Sequence, residues 1–284
     1  MLQRRLNTLF SSAGIIWLIV VSAGLSLPLA YLDPNEEAAI VAHRGASGYA
    51  PENTMAAFEL AVQMDADYIE LDVRMSKDGE LVVLHDETVE RTTNGAGNVR
   101  DYTLSELKAL DAGSFFAPGY AKETIPTLQE VLDRFQGRIG LLIEVKASPS
   151  YTGLEDKVVR LFEQYDDREN IVIQSFDAEL ARAINARLPD IPVGVLISAE
   201  QPPLTDAALD DIASYAAYIN YNVEQLDAET VKKVHDRNRK VMAWTIRKET
   251  DEARMKRLGV DGIITDYPVW GLKAQVERLA AESR

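Results

Sequence analysis

Cysteine is absent from this chain of 284 residues, which excludes disulfides and thiolate metal sites. Positive charge is scarce as well. There are 30 Lys and Arg against 45 Asp and Glu, a formal net charge of −15, and no basic cluster. A phosphate backbone needs a basic face, so no nucleic acid is expected as a partner. An acidic protein acting on an anionic substrate would instead need local positive charge, from a metal ion or a few placed basic residues. No glycine-rich dinucleotide loop follows the first apolar run, and the glycines around Gly95 and Gly97 lack the Lys-Ser/Thr of a nucleotide-binding P-loop. No repeat of about 20–50 residues stands out, which leaves out solenoids and propellers. Histidine is nearly missing too: His43, His85 and His235 are all there are.

The first 37 residues differ in kind from the rest. Arg4 and Arg5 precede an uncharged run from Ala13 to Leu32 with the core Ile15-Ile16-Trp17-Leu18-Ile19-Val20-Val21. About 20 apolar residues suffice to span a bilayer. A retained membrane anchor is the preferred reading over a cleaved signal, because Gly24, Ser26 and Ala30 make mediocre cleavage sites and the run is long for a signal peptide. Either way the arginines stay cytoplasmic and the body is extracytoplasmic, or secreted if cleavage occurs. Asp33 to Glu37 form a polar linker, and residues 38–284 form the globular body.

From there short Val/Ile-rich runs alternate with helical-period segments, the pattern of βα units and a parallel sheet. The eight runs are Ile40–Ala42, Tyr68–Val73, Gly140–Val145, Ile171–Ile173, Val193–Ile197, Tyr218–Asn220, Lys240–Ala243 and Gly262–Ile264. Helical spacing marks Thr54–Met64, Leu154–Gln164, Ala178–Arg187, Asp227–Arg237, Glu249–Leu258 and Val269–Ala281. Capping boxes stand at Thr103–Glu106 and Thr127–Glu130. The fold class is α/β, a (β/α)8 TIM barrel with an N-terminal hydrophobic helix; a doubly wound open sheet is the runner-up. One departure breaks the alternation. An extra hairpin strand, Leu81–Leu84, and an insertion at about 87–126 stretch the second connection, and long loops on compact barrels are usually functional.

Chemistry-capable residues fall at the carboxyl ends of these runs, the face on which barrel enzymes build their sites. In the strand Tyr68–Val73, period two turns Glu70 and Asp72 away from Ile69, Leu71 and Val73. Two adjacent covered carboxylates are costly unless a proton or a cation sits between them. Glu144 and Lys146 share a face at the end of the third run. Glu70, Asp72 and Glu144 are candidate ligands of Mg²⁺ or Ca²⁺. Arg44 and Lys146 could hold an anionic tetrahedral group, and His43 and His85 could divide acid and base roles at phosphorus. Each has a bland reading: a hydrogen-bonded structural histidine, an Arg or Lys paired at the surface. Trp244 fits either core or a substrate-binding pocket wall, and His235, in a charged helix, reads as surface.

Taken together, His43-Arg44-Gly45, Pro51-Glu52-Asn53-Thr54, Glu70-Leu71-Asp72-Val73, Lys77-Asp78-Gly79 and Val82-Val83-Leu84-His85-Asp86 resemble the glycerophosphodiester phosphodiesterase family. So do Ile125-Pro126-Thr127-Leu128, Glu144-Val145-Lys146, Gln174-Ser175-Phe176 and Gly262-Ile263-Ile264-Thr265-Asp266-Tyr267-Pro268. The resemblance covers about residues 39–275. It implies a metal-dependent barrel enzyme that cleaves glycerophosphodiesters to an alcohol and sn-glycerol 3-phosphate. It further implies a divalent metal on Glu70, Asp72 and Glu144, His43 and His85 as acid and base, and Arg44 and Lys146 on phosphate. Attack by the glycerol 2-hydroxyl, then opening of a cyclic phosphate by water, is the mechanism implied. Ser76 stands where the family commonly has threonine, and Arg247 where asparagine is frequent, which touches substrate binding at the seventh strand. The alternatives are a lysophospholipase D-like enzyme acting on lysophospholipids, a phosphoinositide phospholipase C-like enzyme, and a non-catalytic membrane-anchored binder. The binder has no reason to hold both histidines beside the metal ligands.

Overall fold

The computed structural model describes residues 37–269. The hydrophobic N-terminal segment and nearly all of the helix expected at Val269–Ala281 lie outside these residues. Among the described residues, no helix is long and apolar enough to cross a membrane.

Among the described residues nine strands form one sheet: β1 (Ala39–Ala42), β2 (Tyr68–Met75), β3 (Leu81–Val83), β4 (Gly140–Val145), β5 (Ile171–Ser175), β6 (Val193–Ile197), β7 (Tyr218–Asn222), β8 (Met242–Ile246) and β9 (Gly262–Thr265). Eight of them run parallel in the order β1-β9-β8-β7-β6-β5-β4-β2, and pairing of β1 with β2 closes the ring. β3 lies antiparallel on the outer end of β2. The parallel barrel and the hairpin strand thus stand where the alternation placed them. Among the described residues eight α-helices accompany them: α1 (Met55–Gln63), α2 (Leu104–Lys108), α3 (Leu128–Phe135), α4 (Leu154–Phe162), α5 (Ala178–Arg187), α6 (Asp206–Ala213), α7 (Ala228–His235) and α8 (Glu249–Leu258).

Strand parity sorts the core into two layers. Ile69, Leu71, Val73, Leu141, Ile143, Val145, Ile173, Val195 and Ile263 face outward and pack with the helices, Phe58 of α1 and Phe135 of α3 among them. Val41, Leu142, Val172, Met242 and Ile264 face inward and fill the barrel as an apolar plug. One step toward the carboxyl ends the inward positions turn polar: Asp72 is in register with Glu144, and Glu144 with Gln174. The site is this polar layer resting on the plug.

Three details differ from the sequence reading. α6 was not expected; its alanines blunt the apolar periodicity, although Leu209 and Ile212 are buried. β8 begins later than Lys240, which touches β7 only through a single bridge to Tyr218, and runs on through Trp244 to Ile246. β2 continues two residues beyond its last parallel pair, Val73 with Val145, to carry β3. The long second connection has a small core of its own. Val82, Leu84, Val89, Val99, Leu107, Ala112 and Ile125 pack together, and both expected capping boxes form, at Thr103 and Thr127.

The turn out of β1 is tight. Gly45 has φ +78°, and a Cβ there would lie 2.7 Å from the backbone carbon of Ala57 in α1. Only glycine allows both the left-handed backbone and that approach. Gly45→Ala is therefore expected to lower the unfolding free energy by about 1–3 kcal/mol, read from urea denaturation; a parental midpoint and slope would contradict this account of the turn.

Candidate active site

The loop between β1 and α1 assembles one side of the site residue by residue. Thr54 caps α1, accepting from Ala57 N–H, while its own hydroxyl donates to the Pro51 carbonyl at 2.7 Å. That cap fixes Asn53 and Glu52. Asn53, at φ +57°, donates from Nδ2 to Asp72 Oδ2 at 2.8 Å. Glu52 accepts from Arg44 Nη1 at 2.8 Å, and the Arg44 backbone N–H donates to Glu70 Oε2 at 2.9 Å. This turn therefore orients two of the three inward carboxylates.

Glu70 and Asp72 are 2 % and 1 % exposed, and Glu144 is buried beside them. One oxygen of each lies within 4.8 Å of the others. At that separation two full charges repel by about 3–4 kcal/mol at an effective dielectric of 20. Two cations answer them: Lys146 Nζ is 2.9 Å from Asp72 Oδ1 and also pairs with Glu144 Oε1, and Arg44 Nε is 3.4 Å from Asp72 Oδ2. The cluster titrates unevenly as a result. Burial disfavours every charge here, but Lys146, Arg44 and the Asn53 hydrogen bond hold Asp72 well below the usual carboxylate range. Burial and repulsion from Asp72 and Glu144 push Glu70 far up. Burial, with Asp72 adding, raises Glu144 to about 7 against the pull of Lys146.

The donor set fits a hard divalent cation. Asp72 Oδ1 and Glu144 Oε1 are fully buried yet accept no well-aligned hydrogen bond, even though the Lys146 ammonium approaches both. Converging carboxylate oxygens with spare lone pairs are the ligands that Mg²⁺ and Ca²⁺ take.

Both candidate histidines rest against carboxylates through Nδ1. His43 Nδ1 is 2.5 Å from Asp266 Oδ1, and His85 Nδ1 is 2.6 Å from Asp86 Oδ1. An ionised carboxylate can only accept, so Nδ1 carries the proton in each and Nε2 is left free to take or give one. Burial lowers the pKa of both rings; Asp266 partly offsets this at His43, and Asp72 at His85. Asp266 is held down at about 2, with burial overcome by His43 and Arg247. Asp86 lies well below its ordinary value, through Arg91 first and then His85. His85 is fastened a second time where buried Arg74 donates to its backbone carbonyl at 2.6 and 2.8 Å.

His43, Arg44, Glu70, Asp72, Glu144 and Lys146 thus meet in one cluster, and His85 lies within electrostatic reach of Asp72, Lys146 and Arg44. Trp244 stands one ring further out. It packs edge-on against Phe176 with centroids 5.4 Å apart, and the Phe176 ring is 5.8 Å from Lys146 Nζ. Its indole N–H is tied to the Asn220 carbonyl. Arg247, the position that departs from the family pattern, donates to Asp266 Oδ2 at 2.6 Å and so stands behind His43. His235 bonds Asp261 at 2.9 Å, away from this cluster. The roles of Glu52, Asn53, Asp86, Arg91 and Asp266 escaped the sequence reading; all but Arg91 lie in the motifs quoted for the resemblance, which was their signal, and Arg91 had none beyond its place in the long second connection.

Residues 43–269 match the Glycerophosphoryl diester phosphodiesterase family. The Bacillus subtilis protein YhdW is 44% identical over 234 residues, 82% of this chain and 96% of that one. A glycerophosphodiester phosphodiesterase of the same organism is 40% identical over 243 residues, 80% of this chain and 83% of that protein. Among solved structures, an Oleispira antarctica phosphodiesterase in complex with the product sn-glycerol-3-phosphate superposes with a TM-score of 0.76 at 32% identity, covering 85% of this chain and 97% of that one.

Glu144 supplies a test by linkage. Its carboxyl is raised in the fold from 4.5 to about 7, so the folded state holds the extra proton in between, and this group's contribution to stability is lost as pH rises through that window. Glu144→Gln mimics the protonated form. In chelator, the melting temperature of the variant should gain on the parent from about pH 5 to about pH 8, and Mg²⁺ or Ca²⁺ at the upper pH should stabilise the parent more. A constant gap, or equal gain from the cation, would refute the assignment.

Proposed function

Since the chain belongs to the glycerophosphoryl diester phosphodiesterase family, we propose that this site hydrolyses glycerophosphodiesters to an alcohol and sn-glycerol 3-phosphate. The observation that carries the reading is the buried trio Glu70, Asp72 and Glu144, joined to two histidines whose Nδ1 atoms are each held by a carboxylate. A divalent cation, Mg²⁺ or Ca²⁺, held by those three carboxylates would supply Lewis-acid polarisation of a phosphoryl oxygen.

The chain's own residues do the rest. Arg44 and Lys146 hold the phosphodiester anion, and Lys146 keeps its proton because Asp72 and Glu144 outweigh its burial. One imidazole takes the proton of the glycerol 2-hydroxyl at Nε2 as that oxygen forms its bond to phosphorus. The other, protonated, gives its Nε2 proton to the alcohol oxygen as the second P–O bond breaks. The five-membered cyclic phosphate is opened by water with the two roles reversed, which restores both rings and leaves glycerol 3-phosphate. Burial favours neutral imidazole and the paired Asp266 and Asp86 favour imidazolium, so each ring can change its charge during a cycle. Trp244 and Phe176 form the wall on the alcohol side.

Phe176 is 40 % exposed beside Lys146, and Phe115 and Phe116 are exposed as well. That favours, as a second reading, alcohols carrying an apolar chain, as in lysophospholipids. The run from Ala13 to Leu32 supports a membrane-anchored, extracytoplasmic placement for such a substrate.

The deciding assay follows turnover of glycerophosphocholine, glycerophosphoethanolamine, glycerophosphoglycerol and a lysophospholipid, with Mg²⁺, Ca²⁺ or chelator. Glycerol 3-phosphate should be released and chelator should stop it; inositol phosphate from a phosphoinositide, or chelator-resistant activity, overturns the reading. His43→Ala and His85→Ala should each lower kcat by about 10²–10⁴-fold with the circular dichroism spectrum unchanged.

A further inference from the structure

Beyond the groups just assigned, one arginine in the long second connection ties two halves of the site together. Arg91 donates from Nε to Asp86 Oδ2 at 2.6 Å and from Nη2 to Asp86 Oδ1 at 3.1 Å. It also donates from Nη1 to Glu52 Oε2 at 2.7 Å and from Nη2 to Glu52 Oε1 at 2.8 Å. Its guanidinium therefore grips two carboxylates, each bidentately. Asp86 in turn receives His85 Nδ1, and Glu52 receives Arg44 Nη1. The result is a continuous relay, His85–Asp86–Arg91–Glu52–Arg44, ending next to Asp72. By contrast, Arg247 reaches Asp266 alone.

The relay is held from a firm side. Val89 and Val99 flank the turn that carries Arg91, and both are fully buried in the small core of the second connection. Backbone bonds from Val89 to Gly97 and from Val99 to Glu87 close it. A planar fork with fixed donors transmits orientation where an ammonium would not. Arg91 is also 46 % exposed in its side chain, and ion pairs that open to water add little to folding. Two bidentate grips on carboxylates that each hold a residue of the site are of more use to geometry than to stability.

We propose that Arg91 is a positioning residue that sets His85, through Asp86, and Arg44, through Glu52, in one act. The proposal rests on the phosphodiesterase reading above. In the full chain with glycerophosphocholine as probe, Arg91→Ala should lower kcat by about 10–100-fold and raise KM, with the melting temperature nearly unchanged. Arg91→Lys keeps the charge and loses the fork, so it should fall with Ala. In an Asp86→Asn background, Arg91→Ala should cost far less in kcat than it does alone. Parental kcat and KM in Arg91→Ala, full rescue by Lys, or additive losses would each overturn it. The ¹⁵N spectrum of the three imidazoles needs no substrate. His85 should be Nδ1-protonated in the parent and mixed between tautomers in Arg91→Ala, with His235 unmoved. An inert parent whose His85 signal still responds sinks only the assigned reaction; an unresponsive His85 sinks the proposal.

Discussion

Three carboxylates in the mouth of the barrel, out of reach of water, set the terms for everything near them. Glu70, Asp72 and Glu144 come within 4.8 Å of one another, and burial makes each charge expensive. Asp72 stays ionised because Lys146, Arg44 and Asn53 converge on it, whereas Glu70 and Glu144 are driven up. The layout creates a demand for positive charge at one point, which Arg44 and Lys146 meet in part and which a divalent cation could complete. A chain of net charge −15 attracts no anion at long range, and the two cations of the site, Arg44 and Lys146, are largely buried, where a low dielectric strengthens their fields.

The scaffold exists to keep that demand from relaxing. The apolar plug of Val41, Leu142, Val172, Met242 and Ile264 closes the barrel beneath the polar layer, so the carboxylates cannot sink, and the outward faces of the same strands are locked against the helices. Gly45, the Thr54 cap and Asn53 pull the first loop inward. Each histidine is then fixed by an acceptor at Nδ1, Asp266 from the end of the last strand and Asp86 from the end of the hairpin. These two approaches to one site come from chain segments 180 residues apart in number (266 − 86), which only closure of the ring can bring together. The long second connection takes part through its own core, presenting Arg91 from a rigid turn.

Much of this was legible from the residues. Period two in Tyr68–Val73 placed Ile69, Leu71 and Val73 on one face and Glu70 and Asp72 on the other, and they point so. The capping boxes at Thr103 and Thr127 form because their donors and acceptors are local. α6 stayed hidden because alanine serves burial and exposure alike. The extension of β8 to Ile246 stayed hidden because its last pairings depend on a shifted register with β9. Arg247, the departure from the family pattern at the seventh strand, turns its side chain to Asp266, a pairing that local sequence does not reveal.

Strand parity, helix period and the order of elements reside in the sequence alone, since neighbours along the chain share one backbone geometry; they determined an eight-stranded parallel barrel with its candidate site residues at the carboxyl ends. Which carboxylate stands behind which histidine, that Glu52 and Asp86 share Arg91, and that Asp72 is pushed down while Glu70 and Glu144 are pushed up, were decided by the tertiary structure. Those are matters of ångströms and of water excluded, and both arise only once distant segments pack against each other.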